Sequence, residues 1–325
     1  MLPTRAIKSR RREKNLIPTV AKVGSALIGA GSLLLASQAL YIALCTPRLP
    51  PPDQSGHDFE EDGLVVCYGY DDNEVPTSTT GAPEFKLVLI GDSPVEGIGN
   101  DSHCKALGGQ TALAFSKLLR TPVRYWSYGM SGLTAKGIED EMLPLLQRVS
   151  AKHEVGAVVV SCGVNNVLIG QSAKAFGNEV RQLLHGTFKH SAQASRIIVM
   201  ELLDFALMPF IPFPLSQVAS WRSKALQVEM EMVVHKYKCN SRFGVDRIGM
   251  AYMPSVEDIL NDKTHPLLNH IACPTEKNAL QLSDFFADDD FHPANHGTIV
   301  IAKILALAYE QLITQQHKDI KADLS

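Results

Sequence analysis

After Glu84 the sequence alternates short apolar runs with stretches long enough for helices, and this alternation narrows the possible folds more than any other feature. The runs cover residues 85–90, 123–128, 157–161 and 197–203, with a weaker fifth at 245–252. Each has four to eight residues rich in Val and Ile, the pattern of strands buried on both faces of a parallel sheet. Between and after them, residues 111–119, 139–149, 176–184, 220–237 and 298–312 have apolar side chains at helical spacing. Strands alternating with helices predict one α/β domain of three layers, with a five-stranded parallel sheet between helices. In such sheets ligands bind at the carboxyl ends of the strands. A real core is affordable, since 45% of the 325 residues are apolar and only 20% charged.

The chain before this domain is organised by charge. Arg5, Lys8, Arg10, Arg11, Arg12 and Lys14 crowd residues 1–22, while residues 23–44 carry no charge. About 20 helical residues cross a bilayer core, and in lipid the backbone can satisfy itself only as a helix or closed barrel. Residues 23–45 are therefore predicted to be a single-pass signal anchor. The basic flank keeps the N-terminus cytoplasmic and exports the domain to a periplasmic or extracellular location. A cleaved signal peptide is the competing reading, but its apolar region normally spans only ~7–15 residues. Residues 46–83 are acidic and rich in Pro and Gly, as a linker would be; within them Leu64-Val65-Val66-Cys67-Tyr68 reads as an added strand or a hydrophobic patch. The folded α/β domain is predicted to cover 84–318, and 319–325 a tail.

The net charge of −3 argues against a nucleic-acid partner. Six cysteines (Cys45, Cys67, Cys104, Cys162, Cys239, Cys273) show no zinc spacing. Export would permit disulfides, although only five cysteines lie outside the anchor. His265, His270, His292 and His296 match no standard ligand set, so neither metal nor cofactor is expected.

Four short motifs adjoin predicted strand ends. The first is Gly91-Asp92-Ser93-Pro94-Val95-Glu96-Gly97, the second Gly129-Met130-Ser131-Gly132, the third Gly163-Val164-Asn165-Asn166, and the fourth Asp288-Asp289-Asp290-Phe291-His292-Pro293. Each alone is compatible with a turn or a helix cap. Together they contain a hydroxyl, an imidazole with a carboxylate three residues away, and two uncharged donors of the kind an oxyanion hole requires.

In these four blocks the sequence resembles the SGNH (GDSL-like) hydrolase family, and in particular a bacterial subgroup of lipases and acylhydrolases. The resemblance spans roughly residues 85–312. It implies a flavodoxin-like three-layer fold with Ser93 as nucleophile and His292 as base, paired with Asp289. The oxyanion donors would be the Ser93 and Gly132 amides and the Asn165 side chain. Two positions depart from the family pattern: Pro94 replaces Leu, and Asn166 replaces Asp. Neither removes a hydroxyl, imidazole or oxyanion donor. The implied activity is two-step hydrolysis of small-molecule or lipid acyl esters. Carbohydrate O-deacetylation and a catalytically silent binding or scaffold protein are the alternatives. The apolar stretch 205–215 has two readings, a lining for acyl chains or bilayer, or a loop packed on the domain's own core.

Overall fold

The computed structural model describes residues 32–42, 47–52, 63–66, 84–240, 243, 247–254, 267 and 281–323. The basic N-terminus, residues 23–31 and 43–45 of the expected anchor, most of the expected linker, and Cys45, Cys67 and Cys273 lie outside them. Cys104, Cys162 and Cys239 are free thiols.

Five parallel strands form the sheet, as expected: β2 (Phe85–Gly91), β3 (Val123–Gly129), β4 (Ala157–Val160), β5 (Arg196–Met200) and β6 (Ile248–Ala251). A sixth, β1 (Leu64–Val66), pairs antiparallel with β3, so the patch around Leu64 is an edge strand. The spatial order is β1-β3-β2-β4-β5-β6.

Period-two alternation accounts for the layers. In β2, Val88 and Ile90 face one core while Leu87 and Leu89 face the other. Val158 and Val160 oppose Ala157 and Val159 in β4 in the same way, as do Ile197 and Val199 against Ile198 and Met200 in β5. The first core is covered by α4 (Ala135–Lys152), α6 (Ala173–His190) and α7 (Leu215–Lys238). α3 (Leu107–Leu119) and α8 (Asn295–Asp323) cover the second. Each helix presents a stripe at helical spacing, such as Ile138, Met142, Leu146 and Val149 of α4.

Of the expected anchor, residues 32–42 are described and form a short apolar helix, α1 (Ser32–Ile42). Among the described residues, one helix is long and apolar enough to cross a membrane, Asn295–Gln315 within α8. It is mostly buried, with Ile301, Leu305 and Leu312 in the second core. Its apolarity serves the sheet.

The strand order sets the position of the cleft. After β2 the chain moves outward to β3, then returns across β2 to begin β4 on its other side. Loops leaving the carboxyl ends of β2 and β4 therefore diverge, and this switch point is where open α/β sheets place their binding crevice.

Candidate active site

Both sides of that crevice carry residues singled out by the sequence. Ser93 opens the four-residue helix α2 (Ser93–Glu96) directly after β2. Asn165 lies in α5 (Val164–Leu168), after β4. Gly132 follows β3, and the Asp289–His292 segment precedes α8.

The β3 loop is tied to its neighbours on both sides. Ser131 N donates to Glu96 Oε2 at 2.6 Å, and Met130 N to Gly91 O at 3.3 Å. Asn165 Nδ2 donates to Leu133 O at 2.9 Å, which orients the amide and holds it beside Gly132. Gly132 has φ 84°, a conformation that favours glycine. Gly129 is required for a different reason: a Cβ there would lie 2.0 Å from Glu96 N, so only glycine lets β3 pass this close to α2.

The Asp289–His292 segment is a tight turn. Asp290 takes a left-handed conformation (φ 54°), and Ala287 N donates to His292 O at 2.8 Å. Asp289, 3% exposed, accepts from three donors: Phe291 N at 3.1 Å, His292 N at 2.9 Å and His292 Nδ1 at 2.5 Å. Burial alone would raise this carboxyl. The hydrogen bonds from the His292 ring and backbone outweigh it and hold Asp289 below the usual carboxylate range. The turn reaches the segment that follows Ser93 through Asn100 Nδ2, which donates to Pro293 O at 3.3 Å, and through Gly99, packed against the His292 Cβ. Among the described residues no hydrogen bond joins Ser93 Oγ to His292. The structure thus joins Asp289 to His292 and Asn165 to the Gly132 loop, and leaves Ser93, 6% exposed, unlinked at the head of α2.

Asn166, the departure from the family pattern, has a structural role. It is fully buried, and its Oδ1 accepts from Ala135 N at 3.0 Å, satisfying one of the orphan donors in the first turn of α4. Its Nδ2 donates to Gln171 Oε1 and, at 3.1 Å, to Glu179 Oε2. Glu179 is what makes the amide necessary, because a carboxylate at 166 would face another carboxylate in a buried site. The Asn166→Asp variant is expected to lose about 2–4 kcal/mol in urea denaturation. Adding Glu179→Gln should recover much of this loss, and a double variant no better than the single one would sink the explanation.

Sequence reasoning passed over Asp92 and Glu96, since a lone acid beside a serine has no periodic signature. Asp92 is fully buried and accepts from Ser161 Oγ at 3.0 Å, but its Oδ2 has no partner among the described residues. Burial pushes its carboxyl up to about 6, against the lowering effect of Ser161 and His292. A raised acid keeps its proton in the folded state after the unfolded chain has released it. Stability should therefore fall as pH rises from about 4 through about 6, by up to about 3 kcal/mol. Asp92→Asn is expected to match wild type near pH 4 and exceed it by up to that amount at pH 7. A difference that did not change with pH would rule out burial of the charge as the cause.

The 205–215 stretch packs for the most part on the domain's own core. Phe205, Met208 and Ile211 are buried in the first core, whereas Phe213 is 77% exposed. Phe210 packs on Phe291, with ring centroids 4.9 Å apart, so this loop braces the turn that carries His292.

No family model matches the chain, and no curated protein matches it. Solved structures do. The psychrotrophic esterase EstA from Pseudoalteromonas sp. is similar at 14% identity and a TM-score of 0.46, over 70% of this chain and 98% of that one. A member of the lipolytic protein G-D-S-L family from Veillonella parvula gives 11% and 0.41, over 68% and 95%. A carbohydrate acetylesterase family member from Sinorhizobium meliloti gives 12% and 0.42, over 71% and 99%. These are distant likenesses of shape, and the chemistry rests on the residues themselves.

Proposed function

We propose that the chain is an SGNH-type serine ester hydrolase, held to a membrane by residues 23–45 with its catalytic domain on the exported side. The observation that carries the reading is the Asp289–His292 pair, closed at 2.5 Å on a turn that packs against the segment following Ser93. With Asp289 accepting at Nδ1, the imidazole presents Nε2 as the base. His292 takes the Ser93 proton as Oγ attacks the ester carbonyl carbon. The tetrahedral oxyanion is received by the Ser93 and Gly132 amides and by the Asn165 Nδ2 hydrogen left over from the bond to Leu133. Collapse expels the alcohol, which takes the proton from His292. Water, deprotonated by His292, then releases the acid and restores Ser93. The missing Ser93–His292 hydrogen bond is compatible with this cycle, since catalytic hydrogen bonds often tighten only around substrate.

The purified chain should hydrolyse p-nitrophenyl acetate, butyrate or octanoate and label with a fluorophosphonate, which requires an activated serine. Preference among the three esters separates a deacetylase from a longer-chain acylhydrolase. A folded protein that neither turns over nor labels is a binding or scaffold protein. The anchor is tested separately: a C-terminally tagged chain should stay in the membrane pellet after alkaline carbonate, and release would overturn it.

A further inference from the structure

α1 is apolar on the side that faces away from the domain. Its half-covered positions, Leu35, Gln38 and Ile42, form one stripe, and Leu33, Leu34, Leu40 and Tyr41 point outward, with Leu33 74% exposed. A helix lying on a water-soluble domain shows the reverse polarity. The stripe is fastened to the domain, since Gln38 Nε2 donates to Phe213 O at 2.8 Å and Ile42 packs on the first core. Residues 49–52 lie against the loop that follows Ser93. Pro52 packs on Gly97, and Leu49, Pro50 and Pro51 share a groove with Gly99, Asn100 and Phe286.

The same end of the sheet carries exposed apolar side chains from different loops: Met130 after β3 (46% exposed), Ile169 after β4 (66%), Phe213 after β5 (77%) and Trp221 near the start of α7 (68%). Parallel strands deliver these loops to one edge. Arg222 Nη2 donates to Gln171 O at 2.8 Å and holds the start of α7 beside the turn that contains Ile169. Single exposed apolar residues need no explanation. A group of them at one end of the sheet, one of them (Phe213) bonded through its carbonyl to a helix that is bare on its outer side, marks an interaction surface.

We infer that this rim rests in the interfacial layer of the bilayer that α1 enters, so that the Ser93 cleft opens onto acyl esters held in that membrane. The inference rests on the anchor reading above. Its basis is the place of attachment. Gln38 and Ile42 lie inside the uncharged run 23–44, so the domain is fastened within the apolar segment itself and no spacer separates rim from lipid. Trp221 and Tyr41 are residue types that favour the membrane–water interface.

The chain has two tryptophans, and they make the test direct: Trp126 is fully buried and Trp221 exposed. The full chain would be reconstituted into phosphatidylcholine vesicles, with and without brominated acyl chains, and flotation and tryptophan emission measured together. Emission is expected to fall roughly twofold in brominated vesicles, with the loss absent in Trp221→Phe, whose remaining Trp126 signal reports an intact core. Protein that floats with the vesicles but is not quenched overturns the inference and leaves the anchor standing. Protein that does not float removes both.

Discussion

Ester turnover by the Ser93→Ala variant is expected to fall by on the order of 10⁴-fold or more. In the proposed mechanism, alanine removes the oxygen that would form the acyl-enzyme at the head of α2. The nearby Ser161 cannot substitute, because its hydroxyl is committed to the buried Asp92 carboxyl at 3.0 Å. What remains is water, assisted by His292 and the oxyanion donors. Such residual catalysis reaches about 10³–10⁴ over the uncatalysed reaction in comparable triads. Initial rates on p-nitrophenyl butyrate, with circular dichroism to show an unchanged fold, measure the effect. A variant retaining activity to within roughly tenfold would exclude Ser93 as nucleophile.

Asp289→Asn should cost almost as much, about 10³–10⁴ in kcat near neutral pH. The carboxylate accepts from His292 Nδ1 at 2.5 Å and so keeps the proton on that nitrogen and the lone pair on Nε2. An amide oriented with Nδ2 toward the ring would select the other tautomer and leave Nε2 protonated. Because the variant is isosteric, KM should change little while kcat collapses, and equal loss in both would point to a disturbed turn. The same carboxylate stabilises the fold. Its pKa is held below the ordinary carboxylate range, so its contribution is complete above that range and is lost as pH falls through the lower folded value.

Much of the fold was legible because burial on both faces of a sheet requires continuous apolar runs. All five parallel strands fall on the runs read from the sequence, and the helices extend beyond the apolar positions that announced them, the last one as far as Asp323. α3 begins at Leu107 and α4 at Ala135, earlier than periodicity suggested, and the first turn of α4 is fixed in part by a contact from elsewhere. Thr134 accepts from Gly137 N, which is local, but Asn166 reaches Ala135 N from 31 residues away. β1 was ambiguous for a related reason. Three residues carry no period, and only the pairing with β3 makes them a strand.

The site divides along the same line. Which residue types sit at which strand ends followed from the sequence: a hydroxyl after β2, a glycine after β3, an asparagine after β4, and a carboxylate and imidazole three residues apart before the last helix. Sequence separation sufficed for Asp289 and His292, because one turn holds both. It could not bring Asn165 to the Gly132 loop, join Glu96 to Ser131, or show that Asn166 must be an amide because Glu179 faces it. Nor could it show that α1 grips Phe213 at the mouth of the cleft. These contacts link residues far apart in the chain, and their energies depend on burial and on which group comes to lie opposite. Local pattern therefore determined the elements and the inventory of chemical groups. Tertiary structure decided how those groups are oriented and which of them come to lie opposite one another in a dry interior.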